Sequence, residues 1–101
     1  MHTQLQDDVM VVLPEGGIVA STVDVLRREL HTLVEQGHVN LAIDLSRTDM
    51  IDSKGLAVFV LCHKSVAAKG GRLRVVTSNE DFKHLFHVMR MDRHFDVVTA
   101  L

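Results

Sequence analysis

A serine beside a carboxylate stands where a helix is predicted to begin, in the run Asp52-Ser53-Lys54-Gly55-Leu56. Either Asp52 or Ser53 can accept hydrogen bonds from the first-turn amides. A hydroxyl at the carboxyl edge of an α/β sheet can also belong to a binding site. Two neighbours disfavour a helix start, because Lys54 opposes the helix dipole and Gly55 costs about 1 kcal/mol against Ala. Local chemistry leaves two interpretations open, a plain helix cap and a functional serine.

The histidines and the cysteine offer less chemistry. His84 and His87 are three residues apart with His94 nearby, but no carboxylate or cysteine completes a metal set with them. His84 and His87 are predicted to lie on the polar side of a helix, in contact with solvent. Cys62 lies in an apolar segment and is predicted to be a buried small hydrophobe. With no paired carboxylates, glycine-rich phosphate loop or nucleophile–base spacing, we predict a binding protein, not an enzyme, with no metal or cofactor.

The elements before Ser53 follow from hydrophobic periodicity. Gln6-Asp7-Asp8 is predicted to be a turn between a short first strand and the strand Val9–Leu13, and Pro14, Gly16 and Gly17 end that pattern. Ser21 is predicted to cap a helix that Gly37 ends. The apolar positions of that helix recur at three and four residues, at Val23, Leu26, Leu30, Leu33 and Val34. Residues 39–45 alternate as a strand, and residues 46–51 are predicted to form a loop leading to Ser53.

The elements from Ser53 onward continue the alternation of helices and strands. Residues 53–69 contain seven consecutive apolar residues, and their length together with the need for a crossover favours a helix over a strand. Residues 72–77 are predicted to be a strand. Ser78 is predicted to cap a short helix whose apolar positions are Phe82, Leu85, Phe86 and Met89. Residues 95–99 form the last strand, so the order predicts an α/β sheet with crossover helices.

Composition and charge argue against several classes of function. A chain of 101 residues predicts a single domain, residues 1–101. A net charge of −2 with scattered cations argues against nucleic-acid binding. The longest apolar run, residues 56–62, is far too short for membrane insertion. One cysteine fits a reducing compartment, and residues 1–8 lack a signal-peptide pattern, so a cytoplasmic protein is expected.

The motif Asp52-Ser53-x-Gly55-Leu56, after the alternating strand and the loop ending Met50-Ile51, resembles the anti-sigma factor antagonist family. These are the free-standing STAS domains of bacterial partner-switching systems. The resemblance extends over nearly the whole chain, with Gly17, Gly70-Gly71 and the late Leu85-Phe86 and Phe95 at matching places. Arg90 stands where the family usually has a glycine. The implied fold is a mixed sheet of about four to five strands with crossover helices packed mainly on one face.

The resemblance also implies a mechanism. The family's serine after the aspartate, here Ser53, is phosphorylated by a serine kinase that is also an anti-sigma factor. A metal-dependent serine phosphatase restores it. The unphosphorylated antagonist binds the kinase and the phosphorylated one releases it. Besides the five-residue motif, the expected interface includes Ser21 and Thr22 at the first helix start and Asp49 and Met50 in the loop before Ser53.

Two alternatives remain at this stage. Lys54 follows the serine where a hydroxyl residue is common, and Gly17-Ile18-Val19-Ala20 replaces the family's usual Gly-Glu-Leu-Asp. Both departures are compatible with a constitutive scaffold or a transporter-associated subunit of the same fold. Lys54 itself is either a partner for a phosphate or an acidic surface, or a solvated lysine. The other class is a phosphocarrier or hydrolase that uses His84 or His87.

Overall fold

Residues 1–101 are described by a computed structural model in which seven strands and three helices contain the predicted elements in the predicted order. The strands are β1 (His2–Gln6), β2 (Val9–Leu13), β3 (Gly16–Ile18), β4 (Asn40–Asp44), β5 (Thr48–Ile51), β6 (Arg72–Val76) and β7 (Asp96–Val98). The helices are α1 (Val23–Glu35), α2 (Ser53–Ala67) and α3 (Glu80–Val88), with a 3₁₀ turn at Met91–Arg93.

Five strands form one mixed sheet in the order β1-β2-β4-β6-β7. β1 pairs with β2 antiparallel, and every later pairing in this sheet is parallel. Each crossover contains one helix and advances in the same direction across the sheet, which places α1, α2 and α3 on one face under the right-handed crossover rule. The predicted fold class is therefore confirmed.

The hydrophobic core lies between that face and the helices. Alternate strand residues enter it, as strand geometry requires: Val12, Leu41, Ile43, Leu73 and Val75. The predicted apolar face of α1 is buried in full, and Phe59 of α2 contacts Phe86 and Phe95 with ring centroids 6.0 and 6.3 Å apart. No helix combines the length and hydropathy needed to cross a bilayer.

The first departure from the sequence prediction is a small parallel ribbon of β3 and β5, separate from the main sheet. Residues 46–51 were predicted as a loop, and Gly16 and Gly17 as the end of a strand pattern. The prediction was wrong because these strands have only three and four residues and show no alternation. The register shifts between Gly16 and Gly17, and Gly16 adopts a φ of +76° that glycine tolerates.

The second departure concerns the ends of helices. The N-cap of α1 is Thr22, not Ser21, and the N-cap of α3 is Asn79, not Ser78. Asn79 accepts a hydrogen bond from the Phe82 amide at 3.1 Å, which the neighbouring serine does not do. Met89 lies just beyond α3 and is 53% exposed, so its predicted place on the buried face is wrong.

The predicted end of α1 at Gly37 is confirmed. The Gly37 amide donates to the Val34 carbonyl and the His38 amide to the Leu33 carbonyl, the two hydrogen bonds of a Schellman motif. Gly37 has a φ of +94°, which a glycine adopts without strain. Arg90 after α3 has the same kind of backbone, with a φ of +58°, although it carries a side chain.

Candidate functional site

Asp52 joins two segments that are distant in sequence. Its Oδ1 accepts hydrogen bonds from the Lys54 and Gly55 amides at 2.9 and 3.1 Å, so Asp52 and not Ser53 caps α2. Its Oδ2 accepts from the Ala20 amide at 2.9 Å, and its own amide donates to the Ile18 carbonyl at 3.2 Å. One residue therefore fixes the start of α2 against the segment that leads into α1.

These donors also set the charge of Asp52. The Gly55 and Ala20 amides, followed by the amide and the positive charge of Lys54, hold the pKa of the Asp52 carboxyl below its ordinary value. Hydrogen bonds to the charged form of a carboxylate have this effect. Asp52 is thus an anion at neutral pH, directly beside Ser53.

Gly55 is required by close packing. A Cβ at this position would lie 2.4 Å from the Ile18 carbonyl oxygen and 2.9 Å from Ile18 Cγ2. The oxygen belongs to the backbone and cannot turn away. The glycine that seemed unfavourable for a helix start therefore lets β3 approach α2, and this approach brings Asp52 within reach of Ala20.

Ser53 is the first residue of α2 and is exposed, as is Lys54 beside it. The Lys54 and Gly55 amides are already occupied by Asp52, and the Leu56 amide donates to the Asp52 carbonyl. A group attached to the Ser53 oxygen therefore meets few unpaired amides at this helix start. Any negative charge added there extends toward solvent next to the Asp52 carboxylate.

The other predicted interface residues divide by exposure. Ser21, Thr22, Asp49 and Met50 are exposed, with Met50 60% exposed. Gly55 is buried, and Leu56 is only 5% exposed and belongs to the core. These last two support the surface from below and do not contribute contact area to it.

The structure brings the residues of the two helix starts together. Thr22 Oγ1 donates to the Gly17 carbonyl at 2.6 Å and accepts from the Val19 amide at 3.1 Å, which shapes the turn that presents Ser21. The same turn contains the Ala20 amide bound by Asp52. In the ribbon, Met50 lies opposite Gly17. Two segments about thirty residues apart in sequence thus form one surface, which we call the helix-start surface: Ser21, Thr22, Asp49, Met50, Ser53 and Lys54.

Sequence reasoning missed three residues at this place. Ile18 and Ala20 act through backbone atoms, and no sequence signal marks such a role. Val25 is 62% exposed on α1 and lines a cavity of about 270 Å³ with Gly17, Ser21 and Thr22. Its signal was available, because Val25 has the charged Arg28 and Glu29 three and four residues on, so it interrupts an otherwise polar helix face.

The histidines and the cysteine lie elsewhere. His84 and His87 are exposed on α3, and His87 Nδ1 is 3.1 Å from Asp92 Oδ2. His94 instead contacts His63 of α2, with ring centroids 5.9 Å apart. Cys62 is buried, which raises the pKa of its thiol to about 12. None of these side chains reaches the helix-start surface.

A family model described as the STAS domain matches residues 1–101. An anti-sigma-B factor antagonist of Bacillus subtilis is 34% identical over 94 residues, which cover 93% of this chain and 84% of the relative. The chain belongs to the anti-sigma factor antagonist family of STAS domains. The resemblance predicted from Asp52-Ser53-x-Gly55-Leu56 is confirmed.

Solved structures agree with this STAS fold. An anti-sigma factor antagonist from Mycobacterium paratuberculosis superposes with a TM-score of 0.89 at 24% identity, over 99% of this chain and 85% of that one. SpoIIAA has been solved unphosphorylated, with a TM-score of 0.77, and, from Bacillus, phosphorylated, with a TM-score of 0.75. Both SpoIIAA matches are 16% identical and cover 90% of that protein and at least 97% of this one.

Proposed function

We propose that this STAS domain is a binding switch controlled by phosphorylation of Ser53. With a free Ser53 hydroxyl it binds an anti-sigma factor that is also a serine kinase. With phosphoserine it releases that partner, and a metal-dependent serine phosphatase restores the binding form. The observation that carries the proposal is an exposed serine at the first position of α2, beside a carboxylate that already occupies the helix-start amides.

The geometry favours a switch that acts by charge and does not require refolding. A phosphate on Ser53 adds about −1.5 to −2 charges at neutral pH. Because Asp52 holds the Lys54 and Gly55 amides, the phosphate is not drawn into the helix start and stays on the surface. The helix dipole still tolerates an anion there, so the fold is expected to persist.

The expected loss of affinity is large enough for a binding switch. A unit charge 4 Å from a like charge costs about 1 kcal/mol in water and about 4 kcal/mol at an effective dielectric of 20. A cost near 4 kcal/mol lowers affinity by about a thousandfold. Support for a chemically modified state also comes from the relative SpoIIAA, whose structures include a phosphorylated form.

The test uses the cognate kinase with Mg²⁺ and ATP, followed by intact-mass measurement. Wild type is expected to gain one phosphoryl group and Ser53→Ala none. Ser65→Ala, which removes an exposed serine farther along the same helix, is the matched control and should be modified as wild type is. A phosphoryl group that persists in Ser53→Ala would place the modification elsewhere and overturn the phosphoacceptor assignment.

Binding is measured separately by calorimetry with the same kinase. Ser53→Asp is expected to bind about a thousandfold more weakly than wild type, whereas Ser65→Asp should bind normally. Equal binding by Ser53→Asp and wild type would instead support a constitutive scaffold. Lys54→Ala then tells whether that lysine contacts the partner, since a solvated lysine would change nothing.

A further inference from the structure

One face of the main sheet has no helix on it. Four of its five strands, β2, β4, β6 and β7, run parallel, and sheets made entirely of parallel strands almost always have both faces covered. Here the helices and the hydrophobic core occupy one face only. The other face, which we call the open face, presents the alternate residues His2, Gln4, Gln6, Val9, Val11, Leu13, Asn40, Ala42, Asp44, Arg72, Arg74, Val76, Asp96 and Val98.

The residue composition of the open face differs from that of a sheet face that contacts only solvent. Its β2 positions are all apolar, and Ala42 and Val76 are buried although they lie outside the helix-side core. At the carboxyl ends of the strands, a cavity of about 340 Å³ is lined by Val11, Asp44 and Val76 together with the last residues of the chain. A sheet surface that mixes apolar and charged residues around such a hollow has the composition of a protein contact surface.

Arg74 lies in the middle of this face and is poorly partnered. It is in register with Ala42 on one side and Asp96 on the other. Asp96, however, pairs with Arg72, so Arg74 has no carboxylate within 4.0 Å. Its Nη2 is 3.4 Å from Asn40 Oδ1, and its Nε is buried with no hydrogen-bond partner. A guanidinium offers five donors in a fork suited to a carboxylate, and that carboxylate is missing within the chain.

The charges on the face indicate which partner supplies it. Two arginines, Arg72 and Arg74, are balanced by two aspartates, Asp44 and Asp96, so the face as a whole does not select an acidic partner. Asp44 and Arg74 lie on neighbouring strands one row apart, because Ala42 pairs with Arg74 and Asp44 with Val76. A two-fold axis passing between them would place Arg74 of each copy against Asp44 of the other, the reciprocity of an isologous contact.

We infer that a second copy of this chain covers the open face, so that two sheets pack face to face with reciprocal Arg74–Asp44 pairs. The inference goes beyond the binding switch and does not depend on phosphorylation. Ser53 belongs to the helix layer, so both helix-start surfaces of the dimer remain accessible.

The area predicts a weak, reversible dimer. Five strands about 4.8 Å apart and about 16 Å long give a flat area of roughly 400 Å² on each copy. Stable interfaces bury about 800 Å² per partner. The dimer is therefore expected to form in the upper micromolar range and to dissociate on dilution.

Sedimentation equilibrium of the unmodified chain between about 5 µM and 1 mM tests this by mass action. The expected result is a rise from monomer mass toward dimer mass within that range. Monomer mass throughout would overturn the inference without any variant, and it would leave the Ser53 proposal untouched. A Ser53→Ala chain is expected to associate as wild type does.

Charge reversal tests the arrangement. Arg74→Asp alone and Asp44→Arg alone each place like charges together twice per dimer, which should weaken association at least about a hundredfold. An equimolar mixture of the two variants restores opposite charges in every pair and should associate again. Arg28→Asp, an exposed and matched charge change on α1, should have no effect.

Two results would contradict the pairing. Association of Arg74→Asp at the wild-type concentration would exclude a contact through Arg74. Failure of the mixture to associate, with both variants folded by circular dichroism, would exclude its pairing with Asp44.

Discussion

Replacement of Gly55 by Ala probes the contact that assembles the helix-start surface. The added Cβ would lie 2.4 Å from the Ile18 carbonyl oxygen and 3.1 Å from Ile51 Cγ2, whereas ordinary contacts begin at 3.4 Å. Backbone must therefore retreat by about 1 Å, between β3 and the first turn of α2. The Asp52 amide bond to the Ile18 carbonyl and the Ala20 amide bond to Asp52 both cross this contact.

The magnitude follows from three effects. Overpacking in a well-packed site costs about 1–3 kcal/mol, and a lost hydrogen bond about 1 kcal/mol. Ala in a helix is more favourable than Gly by about 1 kcal/mol. Gly55→Ala is therefore expected to lower the free energy of unfolding by about 1–3 kcal/mol, although the same substitution in an open helix would raise it.

Urea unfolding followed by circular dichroism measures this change. Ala57→Gly, the reverse substitution at an exposed position of the same helix, is the control and should cost about 1 kcal/mol from propensity alone. If Gly55→Ala proved as stable as wild type or more so, the close approach of Ile18 to α2 would be refuted, and with it the reason given for the glycine.

Three further predictions concern other parts of the chain. Arg90→Gly should raise the free energy of unfolding by about 1 kcal/mol, because Arg90 has a φ of +58°; an unchanged urea midpoint would count against strain there. Cys62 should react slowly with iodoacetamide at pH 8 while the protein is folded and quickly in urea, since burial raises its pKa to about 12; rapid labelling of the folded protein would show that the thiol is accessible. Asp52→Asn should be less stable than wild type at pH 7, because one carboxylate oxygen becomes an amide nitrogen, which accepts neither the Ala20 amide nor the amides of the helix start. A lowered carboxyl pKa stabilises the fold above the ordinary value and loses that effect as pH falls through the folded value, so the two urea midpoints should converge below about pH 4; midpoints that stay equally far apart would contradict this.

Most of the helices and strands were predictable from sequence because their apolar residues recur with a clear period. The apolar positions of α1 and the alternation in β4 mark core-facing sides, and the structure buries them. The ribbon of β3 and β5 has no such period, since its partners pair through backbone across about thirty residues. Its detection needs the pairing itself, which no local pattern records.

The position of the site was predictable from the sequence, but the contacts that assemble it were not. The sequence marked Asp52, Ser53 and Gly55, and it left open which residue caps α2. The structure assigns the cap to Asp52 and explains Gly55 by the Ile18 carbonyl. The explanation of Gly55 depends on a segment more than thirty residues earlier in the chain, whose contribution is made by amide and carbonyl groups that every residue shares.

The ribbon has a further consequence, for the order in which parts of the protein open. β3 leads into α1 and β5 leads into α2, yet neither strand is hydrogen-bonded to the main sheet. Native-state hydrogen exchange is therefore expected to show the ribbon amides and the Asp52 amide exchanging together, well before those of β4 and β6. The surface that we propose to bind a kinase would then open locally, so that Ser53 can enter the active site of the kinase while the core stays folded.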